Sequence, residues 1–256
     1  MQIFDAHTHV DESESLGWFD PPEKIIGLMD EAGIAQAVIM GYHDCPGAPV
    51  DAIAYVAAAV ERYPDRLVAL ARLNPRFGAT AEDLLVEAIT RYGMKGLKLH
   101  PVSCGMHPAN PMTVRLIRRA AQFGAPTLFH CGDEDYTLPF EIAGAAEACP
   151  EASIILGHMG GYYHVDDAIA VARRYSNIYL ETSAMPYPER IKEAVEAIGA
   201  ERVLFGSDGP GCNPWLELQK VRQAGLTVEQ ETLVCGENLR QLLAAVRHTG
   251  EAANDH

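Results

Sequence analysis

The chain has no Cys-x-x-Cys pair among its six cysteines, and none of its apolar runs approaches the length of a membrane span. A chain of 256 residues can bury a sizeable core without a disulfide framework, so we expect reduced thiols in a cytoplasmic protein. The strand-like run that starts at Gln2 leaves no room for the charged and apolar regions of a secretory signal. These absences predict a cytoplasmic protein that is not attached to a membrane.

Basic residues are scarce as well. Lysine and arginine number 20 against 35 aspartates and glutamates, which gives a formal net charge of -15. Because the acid is spread along the chain, its field repels the phosphate backbone of nucleic acids and the surface of anionic membranes. We therefore expect a small-molecule substrate and no nucleic acid partner. The substrate can itself be anionic, since local charge in a cleft can oppose the net charge, and a homodimer stays open.

Eight short β-rich runs occur along the chain, and a segment of helical periodicity follows each of them. The β-rich runs are residues 2–9, 36–42, 66–73, 95–100, 126–131, 153–158, 177–182 and 202–208. The helical segments are residues 22–32, 50–62, 79–91, 111–123, 138–149, 165–175, 188–198 and 214–224. The apolar spacing of stretches such as VDAIAYVAAAVERY suits amphipathic helices better than strands.

This strict alternation predicts parallel βαβ units, and eight such units predict a closed barrel. The expected fold class is α/β: a single-domain (β/α)₈ TIM barrel over residues 1–246, with a final helix over 229–246 and a tail over 247–256. An open doubly wound sheet is the alternative. The chain has no Gly-x-Gly-x-x-Gly turn after its first strand and no P-loop, which disfavours that alternative.

The ends of the predicted strands are rich in polar side chains. They supply His7, His9, Lys98, His100, His130, His158, Glu181 and Asp208. In a barrel, the carboxyl ends of all strands face one shared pocket. Three imidazoles and a carboxylate there favour zinc, iron or manganese over calcium, which prefers oxygen ligands. Water bound to zinc has a pKa of roughly 7, so hydroxide would be available at neutral pH.

The motifs at these strand ends resemble the amidohydrolase superfamily. They are DAHTH in the first strand, GLKLHP in the fourth, a histidine ending the fifth, ILGHMGG in the sixth, NIYLETS in the seventh, VLFGSDGP in the eighth, and GENLRQLL near the end. The resemblance spans residues 3–243 and is greatest to the branch that contains aminocarboxymuconate semialdehyde decarboxylase, other aromatic-acid decarboxylases, and sugar or dicarboxylate lactonases.

The resemblance implies a role for each of several residues. His7, His9, His130 and Asp208 correspond to the metal ligands of that branch, for one ion of zinc, manganese or iron per chain. His158 corresponds to the histidine that polarises the substrate or activates water, and Asp208 can also take a proton from the bound water. The alternatives for His158 are a ligand to a second metal and a structural histidine held by hydrogen bonds.

The implied function is a metal-dependent hydrolase of a small carbonyl compound, such as a lactone or an amide. The same site allows nonoxidative decarboxylation of an unsaturated or aromatic acid, since the four ligand types do not separate the two reactions. A non-enzymatic binding barrel is expected to have lost a ligand, and none of the four is missing. Barrel deoxyribonucleases resemble this start but carry a glutamate ligand in the fourth strand, which KGLKLHP lacks.

Two further residues at the predicted strand ends, Lys98 and Arg72, each have two possible roles, and a third, Cys131, is assigned no chemistry. Lys98 either bridges two metals as a carbamate or, as we expect, pairs with a buried carboxylate such as Asp5 or Glu181. Arg72 can pair with a substrate carboxylate, although an outward salt bridge is the expected role. By strand parity, Cys131 points away from the pocket. Loop residues that can shape specificity or merely pack are His107, Tyr136, Tyr162, Tyr163, His164 and Trp215.

Overall fold

The computed structural model describes residues 1–13, 17–42 and 49–248, in which parallel strands alternate with helices. The strands are β1 Phe4–His9, β2 Gln36–Met40, β3 Leu67–Ala69, β4 Ala71–Arg72, β5 Leu97–Leu99, β6 Thr127–His130, β7 Ile154–Gly157, β8 Ile178–Glu181 and β9 Val203–Leu204. The helices are α1 Pro22–Ala32, α2 Pro49–Arg62, α3 Ala79–Thr90, α4 Pro101–Cys104, α5 Pro111–Gln122, α6 Pro139–Ala148, α7 Val165–Arg174, α8 Pro188–Ile198, α9 Pro214–Gln223, α10 Val228–Thr232 and α11 Asn238–Ala244.

The strands close into a barrel. One sheet has the order β1-β2-β3 and the other runs in sequence from β4 to β9, with every pairing parallel. β3 and β4 are one strand interrupted at Leu70, whose N–H donates to the Ile39 carbonyl of β2 at 3.0 Å. The barrel closes between its first and last strands, where the N–H of Ala6 donates to the Phe205 carbonyl at 2.9 Å. The predicted (β/α)₈ barrel is confirmed.

The barrel encloses one apolar cluster and is surrounded by another. The inner cluster includes Phe4, Leu128, Ile155 and Leu204, and leucines of α11 close it at the end where the strands begin. The larger outer cluster lies between the strands and the helices. Because apolar side chains fill the lower half of the barrel, the polar side chains of the strand ends lie together at the opposite rim.

Two predicted elements at the carboxyl end of the chain differ from the structure. The eighth run was expected to be extended over 202–208, but β9 ends at Leu204 because the N–H of Phe205 donates to the Val234 carbonyl at 2.8 Å. The final helix was expected to be continuous over 229–246, but a π-helical segment at Leu233–Glu237 separates α10 from α11. The four-residue helix α4 was not predicted, since it is too short to show periodicity.

The predicted tail and the cysteines lie only partly within the described residues. Arg247 begins that tail, and its N–H donates to the Phe123 carbonyl at 2.8 Å; residues 249–256 lie outside the described part. Cys45 also lies outside it, and the five described cysteines are free thiols. Within the described residues, no helix combines the length and apolar character needed to cross a membrane.

Candidate active site

A register shift in β1 turns its two histidines toward the barrel axis. Phe4 packs in the inner cluster, and the pairing of β1 with β2 then shifts between Asp5 and Thr8. Because side chains alternate along a strand, a slip of one residue brings His7 and His9 to the side on which Phe4 lies. Both imidazoles are consequently buried at the rim of the barrel.

Asp5 holds this irregular stretch of β1. Its Oδ1 accepts the backbone N–H of His7 at 3.0 Å and that of Ser207 at 2.9 Å, so one carboxyl group connects the first strand to the chain that follows β9. Burial raises the pKa of Asp5 to about 8. Asp5 is therefore a backbone anchor beneath the site.

His7, His9 and Asp208 bring three candidate ligand atoms within 4.8 Å of one another, and we call them the three-residue cluster. The Nε2 atoms of His9 and His7 lie 3.1 Å and 3.5 Å from the same Asp208 Oδ1. Asp208 has a left-handed backbone with φ 56°, and its N–H donates to the His7 carbonyl at 2.7 Å. Burial alone would raise the pKa of Asp208, but the His9 hydrogen bond and the neighbouring imidazoles hold it well below its usual range.

The His7 ring has a partner on each nitrogen. Its Nδ1 donates to Glu181 Oε2 at 2.9 Å, while its Nε2 lies 2.8 Å from Lys98 Nζ. Burial, reinforced by the Lys98 charge, keeps the pKa of His7 well below its ordinary value, so the ring is neutral. The two hydrogen bonds agree that the proton is on Nδ1 and the lone pair on Nε2. A carboxylate behind an imidazole is the usual arrangement at metal-binding histidines.

Lys98 is 1% exposed and its ammonium group meets the lone pair of His7. The carboxylates that we expected as its partners are engaged elsewhere: Glu181 with His7 and Ser183, and Asp5 with backbone N–H groups. Lys98 thus places a positive charge against the same lone pair that a metal would bind.

His9 is held by ring stacking. Its ring lies 4.4 Å from that of Tyr42 at an interplanar angle of 13°, and Tyr42 lies 4.0 Å from Trp18 at 29°. Burial lowers the pKa of His9, and its Nδ1 is buried with no hydrogen-bond partner among the described residues. These three rings form a continuous aromatic wall.

His130 and His158 form a pair beside the three-residue cluster. His158 Nε2 lies 3.1 Å from His130 Nδ1, and His158 Nδ1 lies 2.9 Å from Ser183 Oγ. Burial lowers the pKa of both imidazoles. In this arrangement His130 lies outside the three-residue cluster, whereas His158, at 4% exposed, forms with His7 and Glu181 a second group whose candidate ligand atoms lie within 4.8 Å of one another.

The donor set suits a divalent transition metal. The three-residue cluster offers two imidazoles and an ionised carboxylate at separations typical of ligand atoms around one cation, and Glu181 supports one imidazole from behind. His130 is a further imidazole on the cavity wall. The residues present therefore fit the metal that the strand-end motifs predict.

A cavity of about 250 Å³ opens above these groups. Its described lining residues are His9, Trp18, Tyr42, Arg72, Lys98, His100, His130 and Asp208. The rings of His100 and His130 stack at 4.1 Å and 6°, and burial lowers the pKa of His100 to about 3. The expected outward direction of Arg72 is wrong: this side chain is 8% exposed and lines the cavity, because it extends from the inward side of β4.

Sequence reasoning missed the Trp18–Tyr42 wall. Tyr42 ends the second predicted strand, so the rule that located the histidines could also have selected it. Trp18 lies in a loop without a recognisable signal. None of the loop residues named from the sequence lines the cavity among the described residues, whereas Cys131 lies in the outer apolar cluster, as its strand parity predicted.

Comparison with known proteins identifies the family. The family described as Amidohydrolase matches residues 4–244. No curated protein sequence matches the chain. Since the family match covers nearly the whole barrel, it includes every strand-end residue described above.

Solved structures share the fold at low sequence identity. A TIM-barrel protein from Bordetella bronchiseptica has a TM-score of 0.80 at 21% identity, covering 96% of this chain and 99% of its own. The 5-carboxyvanillate decarboxylase of Sphingomonas paucimobilis has a TM-score of 0.76 at 15%, covering 96% and 99%. A dihydroxybenzoic acid decarboxylase from Polaromonas sp., with bound manganese and the inhibitor 2-nitroresorcinol, has 0.75 at 17%, covering 95% and 97%.

Proposed function

Since the chain belongs to the amidohydrolase family, we propose that it is a metal-dependent enzyme that decarboxylates a planar unsaturated or aromatic carboxylic acid without oxidation. The cavity is the observation that carries this proposal. Flat rings line it on two sides, as Trp18–Tyr42–His9 and as His100–His130, and such surfaces favour a planar conjugated ligand. The Lys98 ammonium group on the same lining favours an anion.

We propose that His7, His9, Asp208 and His130 hold one divalent ion per chain. Zinc, manganese and iron all suit this donor set, and the similar Polaromonas enzyme binds manganese. When bound, such an ion would hold a carboxylate or hydroxyl oxygen of the substrate and withdraw electron density from it. Lys98 Nζ lies 2.8 Å from His7 Nε2, and we assign it as an ammonium group at a mononuclear site.

The reaction needs one proton at carbon. When the bond to the carboxylate breaks, its electron pair stays on the substrate carbon, which takes a proton as carbon dioxide leaves. We assign the proton transfer to Asp208, because its side chain is 27% exposed and lines the cavity. As an ionised carboxylate it can take a proton from the substrate or from water and pass it to the carbon.

We assign His158 to positioning His130. It lies one hydrogen bond behind that ring and is itself held by Ser183, which in turn donates to Glu181. This chain of contacts fixes the His130 ring against the cavity. The role implied for His158 by resemblance, direct polarisation of the substrate, would require it to reach the cavity past His130.

Hydrolysis of a lactone or an amide, the leading expectation from the sequence, is the second candidate, because the family description and an ionised Asp208 suit it as well. Two observations support decarboxylation better. The aromatic lining suits a planar acid, and two of the similar structures are decarboxylases of aromatic acids.

Activity assays can separate the two reactions. Protein loaded in turn with zinc, manganese or iron is incubated with a panel of hydroxybenzoic acids, unsaturated acids, lactones and amides. We expect release of carbon dioxide in equal amount to the decarboxylated product, and a loss of at least about 10²-fold in Asp208→Asn. Hydrolysis of a lactone or amide, with no carbon dioxide from any acid, would establish the second candidate instead.

A further inference from the structure

Arg72 and His100 line the cavity from neighbouring strands, outside the three-residue cluster. Arg72 ends β4, and its backbone pairs with Lys98 of β5, two residues before His100. In the order of the barrel, β5 lies opposite β9, the strand that leads to Asp208. Arg72 and His100 therefore belong to the wall that faces the Asp208 edge.

Ser103 connects these two side chains. Its Oγ accepts a hydrogen bond from Arg72 Nη2 at 3.3 Å, and its backbone N–H donates to His100 Nδ1 at 3.4 Å. Because Nδ1 accepts, the proton of a neutral His100 ring is on Nε2, at the other side of the ring. Stacking on His130 at 4.1 Å further fixes the plane of this ring. One short turn thus orients a guanidinium and an N–H donor together.

The charge of the lining also differs from that of the chain. Of the described lining residues, Arg72 and Lys98 are cationic and Asp208 alone is a carboxylate, in a chain whose net charge is -15. Lys98 is directed to His7 at the base of the cavity, whereas Arg72 lies on the neighbouring strand against Ser103. Two cationic side chains therefore line the cavity at separate places.

We propose that Arg72 and His100 form a subsite that binds a second carboxylate of the substrate, the one that remains on it after decarboxylation. The inference rests on the proposed decarboxylation, which uses one carboxylate at the metal ligands. A guanidinium presents parallel N–H donors that match a carboxylate, and the His100 Nε2–H adds a neutral donor beside it. The substrate class is thereby narrowed to planar dicarboxylic acids.

Ligand binding tests the subsite without turnover. Isothermal titration of the metal-loaded protein compares benzoate with benzene-1,3-dicarboxylate and benzene-1,4-dicarboxylate. We expect at least one dicarboxylate to bind about tenfold tighter than benzoate, the ratio that corresponds to about 1.4 kcal/mol. Arg72→Met should abolish this preference and His100→Phe should reduce it, while benzoate affinity changes less than about threefold.

Matched variants keep the result interpretable. Arg118→Met and His107→Phe change the same residue types outside the cavity lining and should retain the full preference. Arg72→Lys and His100→Asn serve if the first variants lose their fold or metal, which thermal unfolding and metal content report. Arg72→Lys keeps the positive charge but lacks the parallel N–H donors of a guanidinium, so it should retain only part of the preference for dicarboxylates over benzoate.

Two results would overturn the subsite: equal or undetectable binding of the dicarboxylates relative to benzoate, or a preference that persists in both cavity variants. The proposed function fails separately. Carbon dioxide release from monocarboxylic acids without a dicarboxylate preference would leave decarboxylation standing and remove the subsite. A clear preference for a dicarboxylate without decarboxylation of any acid would support the subsite and would show that the protein catalyses another reaction.

Discussion

At the scale of single residues, the two nitrogens of the buried His7 ring have different neighbours, and this asymmetry determines what the ring can do. Glu181 accepts a hydrogen bond from the protonated Nδ1 atom, and the Lys98 ammonium group donates to the lone pair of Nε2. His158 has the same chemistry but faces other side chains, Ser183 and His130. Two histidines of one site are therefore expected to respond differently to the same substitution.

We expect His7→Asn to lose metal and activity together, with partial rescue by excess metal, because it removes a proposed ligand. His158→Asn should retain the metal and lower kcat by about 10–100-fold, the usual effect of losing a residue that orients a metal-binding histidine. Elemental analysis after dialysis measures the first effect, and assays with the substrate found above measure the second. If His158→Asn strips the metal as thoroughly as His7→Asn, His158 is itself a ligand.

The sequence predicts which residues reach the rim better than it predicts their partners. Each repeat of strand and helix ends its strand at the same rim, so His7, His130 and Asp208 could be selected from position alone. Arg72 lies on the same side of its strand as Val68 and Leu70, which pack in the inner cluster, so strand parity also predicts its inward direction. Side-chain partners depend on residues distant in sequence, so pattern reasoning could not supply them.

At the scale of elements, the irregular stretch of β1 depends on a single side chain. We expect Asp5→Asn to preserve it, since an amide oxygen can accept the N–H groups of His7 and Ser207 as the carboxyl oxygen does. Asp5→Leu leaves both donors buried without a partner, at about 1–3 kcal/mol each, and favours the regular register that turns the histidines away from the barrel axis.

Urea unfolding and metal content measure this pair of variants. Asp5→Leu should lower the free energy of unfolding by about 2 kcal/mol or more and should lose the metal. Asp5→Asn, the matched control, should stay close to the unmodified protein in both. Normal metal binding by Asp5→Leu would show that other contacts fix the register of β1.

Helix boundaries were predictable where a local signal exists. Proline stands in the first turn of α1, α5, α6, α8 and α9, where its missing N–H has no cost, and the predicted starts agree with these positions within one residue. The break between α10 and α11 has a tertiary cause, because Val234 in the π-helical segment accepts the N–H of Phe205. Periodicity alone cannot show such a contact.

At the scale of the whole molecule, three of the four proposed metal ligands lie where the first and last strands close the barrel, and the fourth, His130, ends β6. His7 and His9 come from β1, and Asp208 follows β9. The backbone joins at the same place, since the N–H groups of Asp208 and His9 donate to the carbonyls of His7 and Gly209, each at 2.7 Å. A bound ion would therefore link the first strand of the barrel to the segment that follows its last strand.

Metal removal should consequently destabilise the entire barrel. An ion present at 100 times its Kd contributes about 2.7 kcal/mol, which corresponds to about 5–10 °C in the Tm of a protein of this size. Differential scanning calorimetry with and without a chelator measures the shift. Hydrogen exchange should show the greatest loss of protection at residues 5–9 and 205–209. A large decrease in Tm with unchanged exchange there would place the metal elsewhere.

The leucines of α11 that close the base of the barrel also constrain the order of events during synthesis. Asp5 and Ser207 are 202 residues apart, so the first strand leaves the ribosome long before its hydrogen-bonding partner exists. Until Leu239, Leu242 and Leu243 follow, Phe4 and Leu128 have no cover at the open end of the nascent barrel. The apolar interior thus stays exposed to chaperones and prone to aggregation until translation is almost complete. Because the first and last strands are so far apart in sequence, we expect their pairing to be among the slowest steps of folding.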